Sequence, residues 1–367
     1  MATITRSSSS RRKPVTLRQA FDPKLNALNA VRLAMAVGVI FWHSFPLTGE
    51  DIGFAPLRQF VGEAWVDGFF AISGFLITRS WFHTPRANRY AGARATRILP
   101  AFWVCIILTA IVAAPISLAM QGGNWRPLIT SADPYLYVAK NSAVWIFQAG
   151  IAGTPNDIPV SGVWNGSLWT LGWECLCYLG VLALGVTGLI WRKWCLPVAF
   201  VAVWLLLAAV VVTERTGNIH AAGRFGVMFL AGALIYQFRR RIYCTWPLVV
   251  VAIVITGCTQ LLSDYRLVGA VFWAYAVISI GVLLKAERLR LPNDISYGVY
   301  IYAFPIQQLA VIATGGFTPI LFGVMCTVLV IPVAAASWFV IEKPVLDWRK
   351  ARLKRTPTSP ETSIHSG

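Results

Sequence analysis

The stretch Asn26-Ala-Leu-Asn-Ala-Val-Arg32-Leu-Ala-Met-Ala-Val-Gly-Val-Ile-Phe-Trp-His43-Ser44 decides how the chain is read. Ten uncharged residues separate Arg32 from His43. That interval corresponds to about three turns of α-helix, so both side chains fall on one face, about 16 Å apart along the axis. A cation near one end of an apolar helix and an imidazole near the other are costly inside a bilayer. Ionisable groups at that depth read as functional.

The rest of the chain fits that setting. It has 367 residues, 57% hydrophobic and 13% charged, with a mean hydropathy of +0.63. A soluble domain carries roughly 25% charged residues. Apolar runs of about 18–22 residues recur to the end, which predicts an all-α, polytopic transmembrane helix bundle. The short alternating segments of a transmembrane barrel are not seen in the sequence. Ten spans can be drawn, near 27–46, 62–81, 98–119, 166–190, 196–213, 220–238, 246–262, 267–285, 294–314 and 318–341.

A net charge of +17 raises the possibility of nucleic acid, but the cations sit in short clusters between apolar runs and form no contiguous basic face. They report topology instead. With the N-terminus placed in the cytoplasm, 25 of the 32 Lys and Arg fall on the inner side and five on the outer; Arg32 and Arg224 lie within spans. This bias predicts that both termini are cytoplasmic. The chain then divides into a disordered basic cytoplasmic arm (1–25), a transmembrane domain (26–345) and a basic, disordered cytoplasmic tail (346–367). The arm lacks the apolar core of a cleavable signal. The seven cysteines are scattered through apolar segments without the spacing of a zinc site or a disulfide framework, so no metal site is expected. One loop is long: residues 120–165, on the outer side, enclose an amphipathic piece near 135–148 that reads as an interfacial connector or as a lid for an extracytoplasmic acceptor.

Several residues could carry chemistry. His43 lies near the outer end of the first span, and an imidazole accepts a proton readily at neutral pH. Asp67 opens the second span near the same depth and could orient His43. Glu174 lies a third to halfway down the span that begins near 166. With Tyr178 one turn on, it should face the interior, as a second candidate partner for His43 or a ligand for a substrate hydroxyl. Gly68, Ser73 and Gly74 are small enough for close helix packing. On the inner side, Arg94 and Arg97 share a helix face, a pattern suited to phosphate. A donor with a charged head and a long thin arm, such as coenzyme A, would fit a track from this mouth past Arg32 to His43.

These pieces resemble the membrane acyltransferase-3 family, which O-acetylates bacterial surface sugars and related acceptors. The matching residues are Arg32-x10-His43, Asp67-Gly-Phe-Phe-Ala-Ile-Ser-Gly-Phe-Leu76, Arg94-x-x-Arg97-Ile-Leu-Pro100, Trp169-Thr-Leu-Gly-Trp-Glu174 with Tyr178, Ser296-Tyr297-Gly-Val-Tyr-Ile-Tyr302 and Glu342-Lys-Pro344, in order over about 25–345. The resemblance implies acyl transfer, usually of acetyl from acetyl-CoA, to a carbohydrate hydroxyl. His43 would be the base, with Asp67 and Glu174 beside it, and Arg32, Arg94 and Arg97 would serve the donor. Ser73, Trp169, Tyr178, Tyr297 and Glu342 would bind substrate or support the site. Ala303 stands where similar members often carry a second histidine.

The expected protein is therefore an inner-membrane O-acyltransferase with the bilayer, acyl-CoA and a carbohydrate as partners, no nucleic acid and no tightly bound cofactor. A proton-coupled transporter or flippase of a glycan is the alternative, with a membrane scaffold as a further one.

Overall fold

The computed structural model describes residues 15–315 and 317–355, so residues 1–14 of the expected arm and 356–367 of the expected tail lie outside the described residues. The described chain is helical, with two isolated β-bridges and no strand among the described residues. After a short α1 (Leu17–Ala20) come α2 (Leu28–Leu47), α3 (Ala55–His83) and α4 (Ala87–Leu108), which continues through a π-helical turn (Thr109–Ala113) into α5 (Ala114–Gln121). Two short helices follow, α6 (Arg126–Thr130) and α7 (Asp133–Asn141). The remaining helices are α8 (Trp169–Val186), α9 (Cys195–Val212), α10 (Asn218–Phe238), α11 (Trp246–Thr259), α12 (Arg266–Leu283), α13 (Ser296–Thr314) and α14 (Pro319–Ser337). A second π turn (Trp338–Glu342) carries α14 into α15 (Lys343–Arg355).

Each of the ten drawn spans falls on one of these helices. Eight helical stretches are long and apolar enough to cross a membrane. The other two drawn spans correspond to α11, only 14 residues long, and α13. Branched and aliphatic side chains such as Val198, Val201, Leu205 and Val212 on α9 remain exposed, as lipid-facing surface requires.

Helices α3 and α10 form the tightest crossing. A Cβ on Gly74 would lie 1.9 Å from the Phe229 carbonyl oxygen, and one on Gly232 would lie 1.9 Å from that of Ala71. Only glycine permits backbones this close. Phe70 and Phe225 stack beside the crossing, with ring centroids 4.3 Å apart. Gly68 serves the neighbouring contact, against the sulfur of Met35 on α2. Prolines within helices need compensation for the N–H they lack. Pro305 cannot donate to the carbonyl of Ile301, and the Cys105 thiol donates to that oxygen instead, at 3.3 Å.

Two expectations of disorder are corrected. The arm is ordered from Val15: Leu17 is fully buried, Thr16 bridges Tyr243, and the Leu17 N–H donates to the Ile242 carbonyl at 2.8 Å. The tail is helical as far as Arg355 through α15, and Arg349 donates to the Arg89 carbonyl at 2.5 Å. The apolar Leu17 and the Arg349 guanidinium supply contacts that composition alone had assigned to solvent.

The long loop folds back onto the bundle. Tyr137 of α7 is buried, and Asn165 donates to its hydroxyl at 2.5 Å and to Thr109 Oγ1 at 3.0 Å. Gln308 of α13 donates to the carbonyls of Val160 and Val163. The loop is therefore bound to α4 and α13, and its last residues enter the interior near His43.

Candidate active site

His43 lines a cavity of about 200 Å³ with Glu63, Trp169, Thr170, Arg224 and Tyr300. The Phe304 ring meets the imidazole edge-on, with centroids 5.0 Å apart. Nδ1 is buried and makes no hydrogen bond. A second, narrower space of about 30 Å³ is lined by Arg32, Phe69, Glu174 and Tyr297. The two spaces share Val66, Thr170 and Tyr300. Tyr300 is fixed in that shared wall: its hydroxyl donates to the Ser167 carbonyl at 2.9 Å and lies 2.6 Å from Thr170 Oγ1. Arg32 and His43 thus line two separate spaces from one helix, with these three wall residues in common.

Beyond His43 the interior meets a larger recess of about 610 Å³, which shares Trp42, Gly62 and Glu63 with the His43 cavity. Gln260, Leu261, Leu262 and Ser263, which follow α11, line one side of it. Fourteen residues rise about 21 Å, short of the roughly 30 Å hydrocarbon core. Gln59 and Gln260 line this recess, and each has a buried amide oxygen without a hydrogen-bond partner.

At the other end of α2, Arg32 is paired with Asp294 at 2.5 Å. The same carboxylate oxygen lies 2.6 Å from Arg97, which also pairs with Glu342 at 2.5 Å. The π turn at 338–342 sets Glu342 facing inward, only 1% exposed. Arg97 is further sandwiched by the rings of Tyr297 and Trp338, at 5.5 and 5.3 Å. Burial alone would raise the Asp294 carboxyl; the guanidiniums of Arg32 and Arg97, with hydrogen bonds from Ser296, outweigh it and hold it at about 2. Asp294 sits in the connection before α13, two residues ahead of the helix that the drawn span becomes.

Asp67 corrects the expectation that it orients His43. Its carboxylate is fully buried and occupied: Arg224 at 3.0 Å on one oxygen, Arg266 at 2.7 Å and the Tyr265 hydroxyl at 2.6 Å on the other. Arg266 also pairs with Asp264 and Glu63, and His220 lies 3.1 Å from Asp264. This network ties α3, α10 and α12 together. Glu174 is likewise committed elsewhere. Ser73 donates to it at 2.7 Å and Tyr178 at 2.5 Å, and it belongs to the Arg32 space. Ser73 therefore supports Glu174 in addition to sitting at a close crossing. Arg94 stands apart from Arg97, with its guanidinium 5.9 Å from the Tyr90 ring centroid at the edge of an apolar groove, and its Nε is buried without a partner.

With this geometry in place, a family profile described as an acyltransferase domain matches residues 25–339, most of the chain. The chain belongs to the acyltransferase-3 family. Among curated relatives of this family member, an "O-acetyl transferase" of Shigella phage Sf6 is 27% identical, over 93% of this chain and 99% of its own length. "Nodulation protein 10" of Rhizobium leguminosarum bv. viciae is 26% identical over 90% of this chain and 95% of its own. An exopolysaccharide production protein of Rhizobium meliloti (strain 1021) is 26% identical, over 80% and 92%. No solved structure matches the chain.

Within this family frame, several residues at the site went unassigned in the sequence reading. Arg224 was visible as an arginine within a span, but nothing in the sequence named its partners. Glu63 and Arg266 stand at the edges of drawn spans, and no motif marks either. Asp294 opened the span drawn from 294, with no motif to mark it. Trp169 lines the His43 cavity and Tyr297 the Arg32 space. Ala303, in the place of a second histidine, is buried among apolar side chains next to Phe304.

Proposed function

We propose that this membrane protein transfers an acyl group, in the simplest case acetyl, from acyl-CoA to a hydroxyl of a carbohydrate such as a surface or exported polysaccharide, in the bacterial inner membrane. The observation that carries the reading is Tyr300, a wall residue common to the Arg32 space and the His43 cavity. The names of the phage and rhizobial relatives support the acetyl group and the polysaccharide acceptor. The distribution of basic loops supports a cytoplasmic Arg32 end, with the donor entering there and the acceptor through the recess beyond His43.

In the reaction, His43 Nε2 accepts the proton of the acceptor hydroxyl while its oxygen bonds to the thioester carbonyl carbon. The C–S bond then breaks, and the imidazolium returns the proton to the departing thiolate. An ester and free CoA result, and His43 is restored. No carboxylate contacts the imidazole, so Phe304 and the cavity walls hold the ring in position. Arg224 and Tyr300, which share that cavity, supply the positive charge and the hydroxyl dipole nearest the developing oxyanion. Arg32 and Arg97, neutralised by Asp294 and Glu342, act as a rigid collar around the donor's arm more than as free phosphate ligands.

The test is transfer of radiolabelled acetyl from acetyl-CoA to cell-surface glycan in membranes containing the wild-type protein or His43→Ala. Loss of labelled glycan in the variant at equal expression supports the reading. Proton-coupled glycan uptake into proteoliposomes without CoA release would replace it with the transporter.

A further inference from the structure

We propose that the recess bounded by Lys24, Arg79 and Arg290 binds the phosphates of the acyl-CoA donor. This rests on the acyl-CoA reading above and names the part of the molecule that holds the donor's head. The recess measures about 340 Å³ and lies between the segment leading into α2, the last turns of α3 and the connection before α13. Three cationic side chains line it, and no carboxylate does.

Every other inward cation near the donor track is already neutralised or lies elsewhere. Arg32 and Arg97 share Asp294, and Arg97 adds Glu342. Arg94 opens onto an apolar groove between α4 and α8. In the recess the situation is reversed. Lys24 and Arg79 form no ion pair among the described residues; Arg79 lies 5.6 Å from the Phe21 ring centroid. Arg290 has a single acid near it, Glu287 at 3.9 Å, whose side chain is 91% exposed and contributes little. The Nε of Arg290 is buried without a hydrogen-bond partner. Cations gathered without acids, with a buried donor unspent, match a ligand that brings its own negative charge.

The walls are built, not incidental. Asp22 spends one carboxylate oxygen on the N–H groups of Lys24 and Leu25, at 2.7 and 3.3 Å, which fixes the turn carrying Lys24. The Ala27 N–H donates to Gly281 at 2.7 Å, and Asn29 donates to the Leu291 carbonyl at 2.9 Å, closing the opposite wall. Asn29 lies one turn before Arg32 on α2 and also lines the recess. A head held here lies beside the first turn of α2, the helix that carries Arg32 and His43.

The experiment uses the full chain in phosphatidylcholine nanodiscs. Binding of CoA, 3′-dephospho-CoA and acetyl-pantetheine, which lacks phosphate, is measured for wild type and for Lys24→Ala, Arg79→Ala and Arg290→Ala. Each alanine variant is expected to raise the Kd for CoA about tenfold and to leave that for acetyl-pantetheine unchanged. Arg290→Lys should restore part of the loss, which separates charge from misfolding. Wild-type affinity for CoA in all three variants overturns the assignment. So does loss of co-purifying phosphatidylglycerol with CoA binding intact, which would make the recess a lipid-headgroup site. Failure of the wild type itself to bind CoA overturns the functional reading as well, a result distinct from either.

Discussion

Arg32 and His43 sit on one helix, line two spaces that have Tyr300 as a common wall, and have different surroundings. Arg32 is locked to Asp294 at 2.5 Å, while the His43 ring makes no hydrogen bond. The arginine is structural in its contacts. The histidine is left free to exchange a proton.

Replacing His43 with Gln should keep the cavity's shape and remove the base. Acetyl transfer is expected to fall by about 10²–10⁴, with the thermal transition of the protein in detergent unchanged. Turnover of labelled acetyl-CoA at matched protein concentration measures it.

Asp67→Asn should fail for a different reason. It leaves Arg224 and Arg266 buried with one carboxylate fewer, and breaking a buried pair costs about 3–5 kcal/mol. The expected outcome is a strongly lowered thermal transition and little folded protein. A variant that is fully stable but inactive would return Asp67 to the role of His43's partner.

Gly74→Val tests the crossing of α3 and α10. The new Cβ would meet the Phe229 carbonyl at 1.9 Å, so the helices must separate and the stacked Phe70 and Phe225 with them. Size-exclusion chromatography should show aggregate in place of a monodisperse peak.

The Asp294 carboxyl is held at about 2, well below its unfolded value. A depressed acid stabilises the fold above its unfolded pKa and loses that contribution as pH falls towards the folded one. Thermal stability in detergent should therefore drop between pH 4 and 2, and Asp294→Asn should remove that part of the dependence while lowering stability at neutral pH.

Gln260 lines the recess beyond His43, and its amide oxygen is buried without a partner. Gln260→Ala should raise the KM for the carbohydrate acceptor several-fold, as one lost hydrogen bond would, and leave CoA affinity as it is. Steady-state kinetics with each substrate varied in turn separates the two.

Much of the fold was legible in the sequence because a bilayer demands long apolar helices, and such runs announce themselves. All ten drawn spans are helices. The shared face of Arg32 and His43 followed from helical period alone. The partners did not follow. Asp67, near the depth of His43, and Glu174, further down its span, both looked able to serve His43, yet each is claimed by side chains far away in sequence. Arg32 and Arg97 looked like free phosphate ligands until Asp294 and Glu342 were placed against them.

Spacing, hydropathy and the run of basic loops determined by themselves that this is a helical membrane protein with one ionisable track along its first span. Only the tertiary structure decided which charges cancel. Period and burial are properties of a single helix, whereas an ion pair depends on which helices pack side by side, and contacts such as Gly74 on Phe229 set that choice.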